Sequence, residues 1–170
     1  MIEKVKVCLI GATAVGKTSL VARYVTSIFS DQYRTTIGVK IETYTIHRDS
    51  RAIEMVLWDL SGEDEFQNVS RNYLTGASGY LLVIDGTRLE TVGVATMLEA
   101  RAREALGSVP FVAVLNKSDL VASWEARPSD VDELRNRGWT VVTASAKTGE
   151  GVQEAFARLV DAIVERQPWK

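Results

Sequence analysis

The sequence predicts an α/β fold, a sheet covered by helices on both faces. Three observations predict it. Short apolar runs alternate along the chain with amphipathic stretches of helical spacing. The runs at residues 5–10, 80–85 and 110–116 read as buried strands. A turn that begins and ends in glycine, Gly11-Ala12-Thr13-Ala14-Val15-Gly16, joins the first run to the first helical stretch.

The elements follow in order. After the strand at 5–10, residues 17–26 read as a helix, and residues 27–38 are polar and turn-like. Residues 39–46 are β-branched and alternating, and residues 52–60 form the next strand. The short connection His47-Arg48-Asp49-Ser50-Arg51 makes these two a hairpin. Residues 61–72 begin polar and acidic and then turn helical. The strands at 80–85 and 110–116 flank a helix at 91–106, rich in Ala, Leu, Glu and Arg. Ser129 reads as a helix N-cap with Asp132 three residues on, and Gly138 as the stop of that helix. Residues 139–143 are the last strand. Val152, Phe156, Leu159, Val160 and Ile163 mark the buried face of the last helix, which ends near Arg166. No repeat, low-complexity segment or linker interrupts the pattern, so residues 1–170 read as one domain.

Composition excludes several classes. Of 170 residues, 46% are hydrophobic and 25% charged, an ordinary globular mix. Lys and Arg total 20 against 22 Asp and Glu, for a net charge of -2. That balance gives no electrostatic case for nucleic acid or an anionic membrane surface. Cys8 is the single cysteine and His47 the single histidine, which argues against a disulfide framework and a cysteine- or histidine-built metal site. Cys8 reads as a small core residue, and His47 as a solvated hairpin residue. The start has no signal-peptide pattern, no run reaches membrane-spanning length, and the end carries no prenylation cysteine. The expectation is a cytoplasmic protein with no membrane anchor in this chain.

Gly11-Ala12-Thr13-Ala14-Val15-Gly16-Lys17-Thr18 matches G-x-x-x-x-G-K-[ST], after a strand and opening a helix, which is the context the pattern requires. Its glycines let backbone N–H groups turn inward onto phosphate oxygens, and the helix N-terminus adds partial positive charge. Lys17 supplies a full charge for the terminal phosphates, and the Thr18 hydroxyl can ligate Mg²⁺. By chance the four fixed positions coincide in roughly one chain of this size in a hundred.

Asn116-Lys117-Ser118-Asp119 follows a buried strand, at the carboxyl edge where open α/β sheets bind ligands. A carboxylate at Asp119 can accept both hydrogen bonds of guanine's N1–H and 2-amino edge. Adenine offers an acceptor at N1 and no 2-amino group, so a buried carboxylate facing it is left unpaired. Ser145-Ala146-Lys147, after the last strand, can close over the base from the other side. An ATP-using P-loop kinase is disfavoured on these grounds.

Taken together, these motifs make the chain resemble a Ras-like small GTPase, nearest the Rab type. Thr35-Thr36-Ile37-Gly38-Val39 resembles the first switch, Trp58-Asp59-Leu60-Ser61-Gly62 the W-D-T-A-G of the second, and Tyr73-Leu74-Thr75-Gly76-Ala77-Ser78-Gly79 the segment after it. The resemblance implies a P-loop G domain with six strands, five parallel and one antiparallel edge strand, and five helices. It implies GTP and GDP as ligands, with Mg²⁺. Thr13, Ala14, Val15, Gly16, Lys17, Thr18 and Ser19 would cradle the phosphates. Phe29 would pack edge-on against guanine, although it also reads as an ordinary loop anchor. Tyr33 would lie over the phosphates. Thr36 would ligate Mg²⁺ and meet the γ-phosphate, with Asp59 behind the metal and the Gly62 N–H sensing the γ-phosphate. Asn116 and Asp119 would read guanine, Lys117 and Lys147 flank it, and the Ala146 N–H, beside Ser145, meet its oxygen. Effectors and the activating and exchange proteins would bind at residues 33–42 and 61–73. Trp58 and Tyr73 resemble aromatics of the Rab effector surface, or cap the core; the aromatic expected at Ile41 is missing.

Two departures carry information. Glu63 stands where the family usually has a water-orienting Gln. A carboxamide donates and accepts, whereas ionised Glu only accepts and adds charge beside an anionic phosphoryl group. The expectation is slow hydrolysis, with Lys17, Thr36 and Glu63 as the catalytic set, or a GTP-bound scaffold with negligible turnover. The other readings are a Glu63 of raised pKa acting as base or donor, or one pointing into solvent. No arginine is placed by motif as a built-in finger, Arg34 being the nearest. The second departure is a short tail without cysteines, which fits a non-prenylated bacterial member; a Roc-like G domain cut from a longer protein is the alternative.

Overall fold

Val5, Val7 and Leu9 point to one side of the first strand, and Cys8 and Ile10 to the other. Both sides are buried, so this strand sits mid-sheet. The computed structural model describes residues 2–30, 38–60 and 71–166. Its elements are β1 (Ile2–Gly11), α1 (Lys17–Thr26), β2 (Val39–Arg48), β3 (Arg51–Leu60), α2 (Arg71–Leu74), β4 (Gly79–Asp85), α3 (Glu90–Leu106), β5 (Phe111–Asn116), α4 (Pro128–Asn136), β6 (Val141–Thr143) and α5 (Val152–Arg166). Among the described residues the six strands form one sheet in the order β2-β3-β1-β4-β5-β6. The pairs are parallel except β2 with β3, so the fold is α/β with one antiparallel edge strand, as expected.

Helices cover both faces. Leu20, Val21 and Tyr24 of α1 and Phe156, Leu159 and Ile163 of α5 share one core with the odd-numbered side of β1. Tyr24 stacks on Phe156 with ring centroids 3.9 Å apart, which ties the two helices together. Leu74 of α2, Ala95 and Leu98 of α3 and Leu134 of α4 share the other core with Cys8 and Ile10. Because β1 is linked to β3 on one side and to β4 on the other, the strand order reverses there. A crevice at the carboxyl ends follows from that topology.

Three expectations are corrected in detail. The hairpin connection is only Asp49-Ser50, because both residues adopt positive φ (47° and 69°) and make a two-residue turn that keeps Arg48 paired with Arg51. His47 is therefore an exposed strand residue. The helix expected to be capped by Ser129 starts at Pro128, with Arg127 as its N-cap. Proline is pre-organised for the first helical position, and the Asp130 carboxylate accepts the Arg127 N–H at 2.8 Å, leaving Ser129 inside the first turn. Gly138 does stop this helix, at φ 87°. The Trp139 N–H then closes onto Leu134 O, so Trp139 belongs to the helix end and β6 begins only at Val141. Of the segment 61–72, the described part is helical from Arg71; residues 61–70 lie outside the described residues.

Candidate functional site

The loop between β1 and α1 lies at the carboxyl end of the central strand. Its two glycines are required by space. A Cβ on Gly11 would sit 2.3 Å from Val83 O, and one on Gly16 2.2 Å from Asn116 Nδ2; Gly16 also has φ 102°. Ala14 adopts φ 61° with its Cβ in place, a conformation costing about 1–2 kcal/mol. Lys17 is buried, and its ammonium donates to Gly11 O at 2.6 Å and Ala12 O at 2.9 Å. The cation thus lies over the loop's own backbone, at the start of α1.

Two further loops meet this one. Asn116, the last residue of β5, donates from Nδ2 to Val15 O at 3.0 Å and accepts the Ala146 N–H on Oδ1 at 3.2 Å. Its carboxamide therefore joins three segments. Asp119 accepts the buried Ser145 hydroxyl on Oδ1 at 2.7 Å. Between the loops opens a cleft of about 270 Å³, lined by Ala14, Gly16 and Ser19 from the first loop and α1 and by Asp119, Ala146 and Lys147 from the other two loops. Phe29, Asn116 and Lys117 complete its wall, along with Ser30 and Leu120, which motif reading did not single out. The structure thus brings together most of the residues that the sequence nominates.

Thr18 donates its hydroxyl to Asp59 Oδ2. Asp59 is buried, and its Oδ1 has no hydrogen-bond partner among the described residues. Burial pushes this carboxyl up, and the Thr18 hydroxyl and the charges of Lys17 and Lys40 partly oppose it. An orphaned carboxylate oxygen beside a hydroxyl suits a hard divalent cation such as Mg²⁺. No group of three or more His, Cys, Asp or Glu side chains placed to hold a metal ion occurs among the described residues. Such an ion would therefore need oxygens from a ligand as well. Thr36 lies outside the described residues, as do Tyr33, Arg34, Gly62 and Glu63.

Two groups of supporting residues went unread in the sequence. Arg23, on α1, donates from Nε to Ala146 O at 2.8 Å and from Nη2 to Lys147 O, which anchors the third loop. Asp85, at the end of β4, is buried and faces Lys117 Nζ at 2.8 Å and Arg88 Nε at 3.1 Å. Burial opposes its ionisation, yet the donors from Lys117, Thr87 and Arg88 outweigh that and hold its carboxyl below the usual range. No motif spacing announces these contacts, since Arg23 meets a loop 123 residues away.

On the antiparallel edge, Ile41 is half exposed and pairs across the ladder with Trp58. The Trp58 ring carries the Lys6 ammonium 3.8 Å from its centre, and Tyr73 lies 6.4 Å from it, tilted and exposed. Trp58 is partly buried against the core, so it serves packing and surface at once. Cys8 is fully buried, and burial pushes its thiol up to about 12, so no reactive thiolate forms there. In comparison with known protein families, residues 6–165 match the model of the Ras family.

Proposed function

The chain belongs to the Ras family, and from that premise we propose that it binds GTP and GDP with Mg²⁺ in the cleft, hydrolyses GTP slowly, and acts as a switch. The observation that carries the reading is the cleft itself. Its lining joins Ala14 and Gly16 of the G-x-x-x-x-G-K-[ST] loop to a carboxylate, Asp119, one of whose oxygens is already held by Ser145. Guanine's N1–H and 2-amino group would donate to Asp119, while Lys117, Lys147 and Phe29 enclose the ring. Gly16, Lys17 and the first turn of α1 would take the phosphates.

Thr18, Asp59 and Thr36 would hold Mg²⁺. The metal would neutralise charge between the terminal phosphates and fix their geometry. Lys17 would turn its ammonium from the loop carbonyls toward the β- and γ-phosphates. Glu63 would leave the attacking water poorly oriented, since an ionised carboxylate cannot donate to it or to the γ-phosphate. Thr36 and Gly62 would sense the γ-phosphate. Effectors and regulators would bind at residues 33–42 and 61–73, where Ile41 and Tyr73 are exposed next to Trp58; the Trp58–Tyr73 pair supports a Rab-like mode of recognition, and Ile41, in place of the expected aromatic, speaks against it.

The test is nucleotide extraction followed by single-turnover hydrolysis of GTP with Mg²⁺, for wild type and Glu63→Gln. Recovered guanine nucleotide and a variant faster by about tenfold or more, or about 1.4 kcal/mol of barrier, are the expected results. Adenine nucleotide in place of guanine overturns the base assignment. A wild type that turns over readily, with no gain in the variant, removes the slow step and leaves the rest standing.

A further inference from the structure

We propose that Asp85 and Arg88 are positioning residues of the phosphate loop: they brace its backbone from behind and so hold its N–H groups toward a bound diphosphate. The proposal deepens the nucleotide reading above and rests on it. The carbonyls of five successive residues, Gly11 to Val15, each accept a side-chain donor. Lys17 takes the first two, at 2.6 and 2.9 Å. Arg88 Nη2 takes Thr13 O at 2.7 Å, Lys117 Nζ takes Ala14 O at 2.7 Å, and Asn116 Nδ2 takes Val15 O at 3.0 Å. The motifs account for Lys17, Asn116 and Lys117; they leave Arg88 and Asp85 without a role.

In a planar trans peptide the carbonyl and the following N–H point to opposite sides. Holding Thr13 O and Val15 O from behind therefore fixes the N–H groups of Ala14 and Gly16 on the other side. Ala14 and Gly16 both line the cleft. Such a concavity of N–H groups binds anions only while its peptide planes stay turned. Ala14 needs that hold most, because its φ of 61° is strained for a residue with a Cβ.

Asp85 aims the donors. Its Oδ2 faces both Lys117 and Arg88, while its Oδ1 accepts the Thr87 N–H at 2.9 Å and hydroxyl at 2.6 Å. One buried carboxylate thereby sets the cations for two adjacent loop carbonyls. The arginine fork matters here: Nε engages Asp85 while Nη2 reaches Thr13 O. Two separate nitrogens of one planar group reach the two partners, whereas a lysine at position 88 would have to reach both from one ammonium nitrogen on a shorter side chain.

The experiment measures binding of GDP, GMP, ADP and AMP, with Mg²⁺, to wild type, Arg88→Ala, Arg88→Lys and Asp85→Asn of the full chain. Arg88→Ala is expected to weaken GDP about tenfold, the effect of leaving the free loop in its anion-binding turn about a tenth of the time. GMP, which presents one phosphate instead of two, should weaken about threefold or less, so the preference for diphosphate falls. Arg88→Lys should recover thermal stability through its pairing with Asp85 but not the diphosphate preference. Equal weakening of GDP and GMP, or none, overturns the brace and leaves these residues as fold support alone. If Asp85→Asn does not fold, Arg88→Ala, at a partly exposed position, decides by itself. A wild type that takes ADP as well as GDP refutes the guanine reading, and the ADP-to-AMP ratio then still tests the brace. A wild type that binds no diphosphate overturns both.

Discussion

Asp119 meets the cleft with a carboxylate that spends one contact on Ser145, and under the proposed function its remaining lone pairs would decide which base can pair there. Two charge-assisted hydrogen bonds to guanine, at about 1.5–3 kcal/mol each, give about 3–6 kcal/mol, or roughly 10²–10⁴ in affinity. Asp119→Ala should weaken GDP by that factor while ADP binding stays as it is. Competition titrations with both nucleotides check this, and an equal effect on the two would place Asp119 outside base recognition. Asp59 shows how the same residue type serves another end. It is buried with one oxygen unpaired, beside a hydroxyl and near the Lys17 charge, which suits it to a metal rather than a base. Position along the sheet edge would separate the two proposed roles, since one carboxylate lies next to the last residue of β3 and the other follows β5.

The turn between β6 and α5 carries Ser145 and Ala146, and its shape depends on Gly151. Ser145 N–H bonds Glu150 O and Gly149 N–H bonds Ser145 O, each at 2.8 Å, so the loop folds back on the helix start. Gly151 has φ 70°, and a Cβ there would lie 2.1 Å from Thr143 O, a backbone atom that cannot yield cheaply. Gly151→Ala should therefore cost about 2–4 kcal/mol, combining left-handed strain with overpacking. It should also speed nucleotide release, because Ser145 and Ala146 must move. Gly93 in α3 is the control: nothing lies within 4 Å of its added Cβ, and Gly93→Ala should stabilise by about 0.5–1 kcal/mol. Urea denaturation of both variants checks the signs. The same elements show what the sequence makes legible. Motifs that are contiguous in the chain, such as Gly11 to Thr18 and Asn116 to Asp119, could be read because strand and loop follow one another locally. Ser129 misled because Pro128 competes for the same helix start. Arg23 and Arg88 stayed silent because their partners, Ala146 and Thr13, lie 123 and 75 residues away and are brought near only by the sheet order.

Across the molecule, three segments distant in sequence close on one cleft at the carboxyl end of the sheet, and a ligand there would bridge all of them. Asn116 spans 101 residues to Val15, Arg88 spans 75 to Thr13, and Arg23 spans 123 to Ala146. An unfolded chain cannot assemble these contacts, so a nucleotide binds the folded state alone and stabilises it by mass action. At a hundredfold excess over the dissociation constant the gain is about 2.7 kcal/mol. For a chain of this length each kcal/mol moves the midpoint by about 2–4 °C, so GDP with Mg²⁺ should raise Tm by about 5–10 °C. ADP at the same concentration should raise it far less. Excess EDTA should remove much of the GDP increment, because the buried Asp59 carboxylate then faces the phosphates without a cation between them. A GDP shift unchanged by EDTA would detach Asp59 and Thr18 from metal binding. Equal shifts with GDP and ADP would detach Asp119 from base selection, while the cleft itself would stand as a nucleotide site.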